Sequence, residues 1–448
     1  MPLIHSISGL RGIAFKDLNY STIGFYAKVF AIYLNAKKLV VGCDTRKSHS
    51  SLLAGVIDGI NFINCNVVNL GIAPTPTVAF MVRKLRADGG LMVTASHNPH
   101  EWNGLKFISA RGEFINETEF REFSERLGYF RLYSYKIIEY LQGFGECQDY
   151  EKPLNEQLQK IINYFRLSNL GLKIGVDAVG GTGSEALPKL LEMAGCKVFK
   201  INCKFKSRFP RPPEPTPENI GDLCQLVKKK KLDLGFALDP DGDRLSIVDT
   251  NGNAIGEEKT LALATDYILS RKKGPVVTNL STTILMDYIT RKYKCRLYRT
   301  KVGEVNVVAK MKEVSAVIGG EGNGGVIYPM INYTRDAMTG AGIILKLLSK
   351  SKKSISEIVG NYPEYYMIKE KVNLSSREFE KRKDLVQKKF KGKVDLIDGI
   401  RIATSRYWLH LRPSNTEPLV RIIAEGRDKK QITRIIKQAK TFLSRGTA

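Results

Sequence analysis

The stretch Gly90-Leu-Met-Val-Thr-Ala-Ser-His-Asn-Pro99 passes from an apolar, strand-like run straight into a loop carrying a Ser-His pair. Two other apolar runs end in the same manner. Asp233-Leu-Gly-Phe-Ala-Leu238 opens into Asp239-Pro-Asp-Gly-Asp-Arg244, and Ala316-Val-Ile318 into Gly320-Glu-Gly-Asn-Gly-Gly325. Upstream of each loop the chain repeats one grammar: an apolar strand (38–43, 172–176, 274–278), a helical stretch, then a short strand opening on Cys65, Cys196 or Cys295. Pro-Thr-Pro follows in the first two units, at 74–76 and 215–217, where the third has Val302-Gly303-Glu304. Strands alternating with helices predict an α/β fold of parallel or mixed sheets, whose ligands gather beyond the carboxyl ends of the strands. The three loops are therefore expected to face one cleft. From about Tyr362 the pattern changes to a charged helix (376–391), strand-like runs around Ile400 and Trp408, and a closing helix from Lys430, which reads as a smaller α+β domain.

A chain of 448 residues is long for one core, and typical domain sizes give roughly three or four domains. Apolar residues at 43% and charged residues at 26% suit a soluble globular protein. No run approaches the ~20 uncharged apolar residues of a membrane helix, and Met1-Pro-Leu-Ile-His-Ser lacks the basic start of a signal segment, so a cytoplasmic protein without a membrane partner is expected. The seven cysteines include no Cys-x-x-Cys pair and mostly sit in apolar runs, which favours buried thiols over disulfides or zinc. A formal charge of +25 draws anions: nucleic acid, acidic surfaces or phosphorylated metabolites. The densest basic run, 228–231, reads as a solvated helix end. Nucleic acid is not expected as a partner, because basic residues are nowhere interleaved with a cluster of aromatics.

Asp239, Asp241 and Asp243 alternate in a loop broken by Pro240 and Gly242. Carboxylates so close repel unless a cation lies between them, and oxygen ligands suit a hard ion such as Mg²⁺. A calcium loop of the EF-hand type needs Gly at its sixth position and Glu at its twelfth, where this chain has Arg244 and Thr250. Three carboxylates cannot fill a shell of about six oxygens. A phosphate on Ser96 would add the missing anionic ligand. The rival reading, Ser96 and His97 as the nucleophile and base of a hydrolase, lacks a Gly-x-Ser-x-Gly elbow and asks two adjacent residues to point the same way. His97 is expected beside the phosphoryl group as a hydrogen-bonding residue. Lys106 could protonate a substrate hydroxyl if desolvation lowers its pKa. Arg412-Pro-Ser-Asn-Thr-Glu417 with Arg421 concentrates phosphate-binding donors. Gly181-Thr-Gly-Ser-Glu-Ala186 mimics a dinucleotide fingerprint, but the following strand, ending Phe199-Lys-Ile-Asn202, brings no acid for a ribose, so it reads as a turn.

Together these motifs resemble the α-D-phosphohexomutase superfamily: Thr94–Pro99 its phosphoserine loop, Asp239–Arg244 its magnesium loop, Gly320–Gly325 its sugar loop, Arg412–Pro418 its phosphate loop and Ser8–Gly12 an N-terminal signature. The resemblance implies three related α/β units around a cleft, closed by a fourth domain, with boundaries placed at 1–150, 151–250, 251–362 and 363–448. It implies one Mg²⁺ held by Ser96, Asp239, Asp241 and Asp243, with Arg11, Arg244 and His97 around the phosphoryl group and Lys106 as acid or base. Glu321, Asn323 and Gly303 would meet the sugar, and Arg412, Ser414, Asn415, Thr416 and Arg421 its phosphate. The implied activity interconverts hexose 1- and 6-phosphates through phosphorylated Ser96 and a hexose 1,6-bisphosphate intermediate. Many relatives end the sugar loop in Ser-Gly-His, whereas this chain ends it in Gly325 with no imidazole. The Gly-Asn-Gly-Gly form resembles the archaeal-type branch, assigned to phosphomannose, phosphoglucose or phosphoglucosamine substrates.

Overall fold

The computed structural model describes residues 3–140, 143–414 and 418–445, built around four sheets. The first has seven strands, in the order Ile4–Ser6, Gly9–Ile13, Trp102–Ser109, Gly89–Val93, Lys38–Cys43, Asn66–Ile72 and Cys147–Asp149. The second runs Leu245–Val248, Leu234–Leu238, Lys173–Asp177, Lys197–Ile201, and the third Leu297–Thr300, Val276–Asn279, Ile318–Glu321, Gly325–Ile327. Within each sheet the repeat predicted from sequence is present. Its three strands pair in parallel, and a further strand folds back antiparallel against the third. Leu39, Val40 and Val41 are wholly buried, as are Leu234 and Phe236, because helices cover both sheet faces; this is why these strands read as unbroken apolar runs.

The reversal places the site. Each third strand ends, turns and returns, so the connections 94–101, 239–244 and 322–324 all emerge at a carboxyl edge. One apolar core runs through the second and third sheets, including Phe236, Leu245, Val326 and Ile344. It fixes two of the loops together, and the backbone N–H of Leu245 donates to Gly324 O at 3.0 Å. The lysine run behaves as expected, closing helix Gly221–Lys230 with Lys231 as its left-handed cap. All seven cysteines are free thiols, Cys43, Cys65 and Cys196 buried and Cys147 exposed. No helix among the described residues is long and apolar enough to cross a membrane.

The fourth sheet is antiparallel, in the order Tyr366–Asn373, Leu419–Gly426, Tyr407–Pro413, Ile400–Ala403 and Lys393–Asp395, packed against helices Ser376–Lys389 and Lys429–Arg445. It docks on the third unit through buried polar groups. Glu425 accepts from Trp408 Nε1 and the backbone N–H of Ile284, both at 2.7 Å, beside the start of helix Leu285–Lys292. His410 bridges Ser281 Oγ (2.9 Å) and Asp398 O (2.6 Å), and burial pushes its pKa down from 6.5 to about 4. An unfolded chain therefore takes up the imidazole proton before the folded one does. Relative to His410→Asn, the native protein should lose stability progressively as pH falls from 6.5 to 4, by up to about 3 kcal/mol. Urea titrations of both proteins across that range read the difference.

Candidate active site

Asp239, Asp241 and Asp243 are fully buried, and one ligand atom from each lies within 4.8 Å of the others. Gly242, at φ +70°, makes the turn between them. One oxygen of each carboxylate is engaged. Asp239 Oδ1 accepts from the backbone N–H groups of Asp243 and Arg244 at 3.1 and 3.2 Å. Asp241 Oδ2 accepts from Thr75 Oγ1 at 2.6 Å and Lys106 Nζ at 2.7 Å, and Asp243 Oδ2 from Arg335 at 2.7 Å. The opposite oxygens, Asp239 Oδ2, Asp241 Oδ1 and Asp243 Oδ1, are buried and accept no hydrogen bond. Arg244 Nε stands 3.8 and 3.6 Å from two of them, outside hydrogen-bonding reach. Bare carboxylate oxygens in an interior cost several kcal/mol unless a cation meets them. Burial, then Asp243 and Asp241, push the Asp239 carboxyl well above its ordinary range. Burial alone would also raise Asp241, but Lys106 and Thr75 outweigh it and hold that group low. The donor set fits a hard divalent ion.

The turn that mimics a dinucleotide fingerprint buttresses this loop. Thr182 donates from its backbone N–H (2.8 Å) and its Oγ1 (3.1 Å) to Pro240 O, and a Cβ on Gly181 would come within 2.4 Å of the same carbonyl oxygen.

Ser96 is buried, at φ +52° in the left-handed region. Its loop is held by Arg46, itself wholly buried, which donates to Ser96 O (2.6 Å), Asn98 O (2.8 Å), Trp102 O (3.0 Å) and Pro99 O. Asp44 orients that guanidinium through Nε at 2.9 Å and accepts from Thr94 Oγ1 at 2.6 Å. Arg46→Ala would strand Asp44 as an unpaired interior charge and free four carbonyls. A loss of about 3–5 kcal/mol is expected in chemical denaturation, with the serine loop released. Asp44-Thr-Arg46 directly after a strand is the signal that could have revealed this pair, since neither charge can be buried alone.

Two arginines reach the residues that follow Ser96 in its loop. Ser96 Oγ lies 3.4 Å from His97 Nδ1, and Arg244 donates to that same nitrogen at 2.8 Å, so His97 is a neutral acceptor there. Burial and the charges of Arg244, Arg11 and Arg335 hold its pKa well below 6.5, and the nitrogen that faces Ser96 Oγ is already occupied by the Arg244 donor, an arrangement unlike a hydrolase base poised on its serine. Arg244 is anchored on Glu214 at 2.6 Å, and Arg11 on Asn98 at 2.9 Å. Lys106 corrects a sequence expectation. Burial would lower its pKa, but Asp241 at 2.7 Å and Asp243 at 3.5 Å raise it instead, so it is held as an ammonium.

In the sugar loop, Glu321 Oε1 accepts from Asn279 Nδ2 (2.8 Å) and the backbone N–H of Gly303 (3.0 Å), and Oε2 from Arg335 (2.8 Å). Asn323 Oδ1 accepts from the N–H of Gly325 at 3.2 Å. Arg335, absent from every sequence motif, also donates to Glu304 at 2.9 Å and to Asp243. In the fourth sheet Arg412 and Arg421 sit directly opposite each other, a like-charged pair that favours an anion between them. Burial and Arg421 lower the Arg412 pKa; Asp398 stands 3.8 Å away. The Ser414 N–H donates to Leu419 O at 2.8 Å. Asn415 and Thr416 lie outside the described residues.

Models of the four domains of phosphoglucomutase/phosphomannomutase match in chain order: α/β/α domain I over residues 4–127, domain II over 152–252, domain III over 257–366 and the C-terminal domain over 371–441. The chain belongs to this family. It is a mutase, an isomerase of the phosphohexomutase kind. A phosphoglucomutase/phosphomannomutase of Thermococcus kodakarensis is 34% identical over 441 residues, covering 94% of each chain. A phosphoglucosamine/phosphogalactosamine mutase of Sulfurisphaera tokodaii is 29% identical over 462 aligned positions, covering 99% of each. Among solved structures, a phosphoglucomutase/phosphomannomutase family protein of Burkholderia thailandensis superposes with a TM-score of 0.87 at 25% identity, over 99% of both chains.

Proposed function

We propose that this phosphohexomutase moves a phosphoryl group between Ser96 Oγ and the 1- and 6-hydroxyls of a hexose, passing through a bisphosphorylated sugar. The observation that carries the reading is the set of three buried aspartate oxygens that accept no hydrogen bond, with Arg244 linking two of them to His97 beside Ser96. Asp239, Asp241 and Asp243 would hold Mg²⁺, which when bound disperses phosphoryl charge. Arg11, Arg244 and neutral His97 orient the phosphoryl oxygens at Ser96. As the sugar hydroxyl attacks phosphorylated Ser96 its proton passes to the departing Ser96 Oγ, and it returns to the sugar oxygen when Ser96 recovers a phosphoryl group; Lys106, held as an ammonium, donates a hydrogen bond to that sugar oxygen in both directions. Glu321 and Asn323 present acceptor oxygens to sugar hydroxyls or a 2-amino group, with the Gly303 backbone setting the place of Glu321. Arg412, Ser414, Asn415, Thr416 and Arg421 grip the phosphate that is not reacting. Both sugar orientations must fit, so this distal grip recognises phosphate and ring hydroxyls and ignores which end is presented.

Glucose, mannose and glucosamine 1-phosphates, supplied side by side with Mg²⁺ and followed by ³¹P NMR, should be converted to 6-phosphates without release of inorganic phosphate. Steady release of phosphate with no isomer would establish a hydrolase instead. The rates on the three sugars rank mannose and glucose against a dedicated glucosamine activity.

A further inference from the structure

Gly325 closes the sugar loop at a φ that is not positive, so its backbone would accept a side chain. What excludes one is Arg335. A Cβ at 325 would lie 2.2 Å from Arg335 Cδ and 2.8 Å from Cγ, in the middle of the alkyl stem. That stem can swing aside only by breaking a contact, because every nitrogen of the guanidinium is tied: Nε to Glu304 (2.9 Å), one terminal nitrogen to Glu321 (2.8 Å) and the other to Asp243 (2.7 Å). The Arg335 backbone N–H adds a bond to Glu304 Oε1 at 3.0 Å. The three carboxylates come from three segments: the start of helix Glu304–Glu313, the end of strand Ile318–Glu321 and the aspartate loop. A planar fork of fixed donors is suited to hold them in one geometry, as a single ammonium is not.

We propose that Arg335 is a positioning residue that couples the orientation of Asp243 in the aspartate loop to that of Glu321 in the sugar loop. Gly325 is glycine because the stem of this arginine occupies the space its side chain would need. The consequence for turnover rests on the mutase reading; the coupling itself does not.

A four-protein cycle tests it: native, Gly325→Ala, Arg335→Ala and the double variant, with Mn²⁺ binding measured by calorimetry and mutase kinetics alongside. In the native background the added methyl displaces the stem, and Gly325→Ala should weaken Mn²⁺ binding and raise KM by about tenfold each, with kcat changing less. In the Arg335→Ala background the same methyl should change either quantity less than about twofold. An equal effect of Gly325→Ala in both backgrounds, or none in either, overturns the proposal. A crystal structure of Gly325→Ala alone gives a second reading that needs no arginine variant. It should show the stem displaced and the contact to Asp243 or Glu321 lost; all three carboxylate contacts retained would again overturn it. Should the native protein isomerise no hexose phosphate, the mutase reading fails while the Mn²⁺ arm still decides this inference.

Discussion

Ser96→Ala is expected to lower turnover by roughly 10⁴-fold or more, the scale seen when a nucleophile is removed, with the fold intact. The two halves of that expectation have separate origins. The loop conformation depends on Arg46 holding backbone carbonyls and on the Ser96 N–H donating to Thr94 Oγ1 at 2.9 Å, neither of which uses the hydroxyl. The hydroxyl itself has only the 3.4 Å approach of His97 Nδ1, shared with Arg244. Deleting it therefore removes chemistry and little else. Intact mass spectrometry provides the companion readout: one phosphate on the native protein, none on the variant. Retention of activity by Ser96→Ala would remove the phosphoserine from the account.

Asp239→Asn is expected to shift stability and activity in opposite directions. Asp239 Oδ1 serves two backbone N–H groups, a role an amide oxygen keeps, while Oδ2 is buried without a hydrogen-bond donor, Arg244 Nε standing 3.8 Å away. Removing this charge relieves repulsion from Asp241 and Asp243, so the metal-free melting temperature should rise by roughly 2–4 °C. The same change deletes a ligand. Stabilisation by added Mg²⁺ should vanish, and turnover should fall by roughly 100-fold or more. Calorimetric melts with and without Mg²⁺ check the first pair of effects. A variant destabilised in both conditions would mean that the aspartate is a structural residue.

The loops that carry the site were legible because buried strands write themselves as apolar runs and because the turns after them need Gly, Pro and Asp. The repeat then located the second and third loops from the first. Arg335 and Thr75 were not legible. Each works through a partner far away in sequence, Arg335 with Asp243 92 residues off and Thr75 with Asp241 166 residues off, and no local period marks such a pair. Lys106 shows the same limit in its electrostatics. Burial could be inferred from its strand, but the two aspartates that reverse the effect of burial come from another sheet. Strand Tyr366–Asn373 escaped notice because Lys369, Glu370 and Lys371 break its apolar pattern at the edge of the sheet, where Lys369 instead pairs with Glu257 and Glu258 at 2.9 and 3.0 Å.

The central claim is that one divalent ion is shared by the three aspartates and phosphorylated Ser96. Crystals of the phosphorylated protein grown with Mn²⁺ and measured for anomalous scattering test it directly. The account predicts a single strong peak bounded by Asp239 Oδ2, Asp241 Oδ1, Asp243 Oδ1 and an oxygen of the Ser96 phosphate. A protein that scatters no manganese there, or a peak on the aspartates with the Ser96 phosphate turned away from it, would contradict the account.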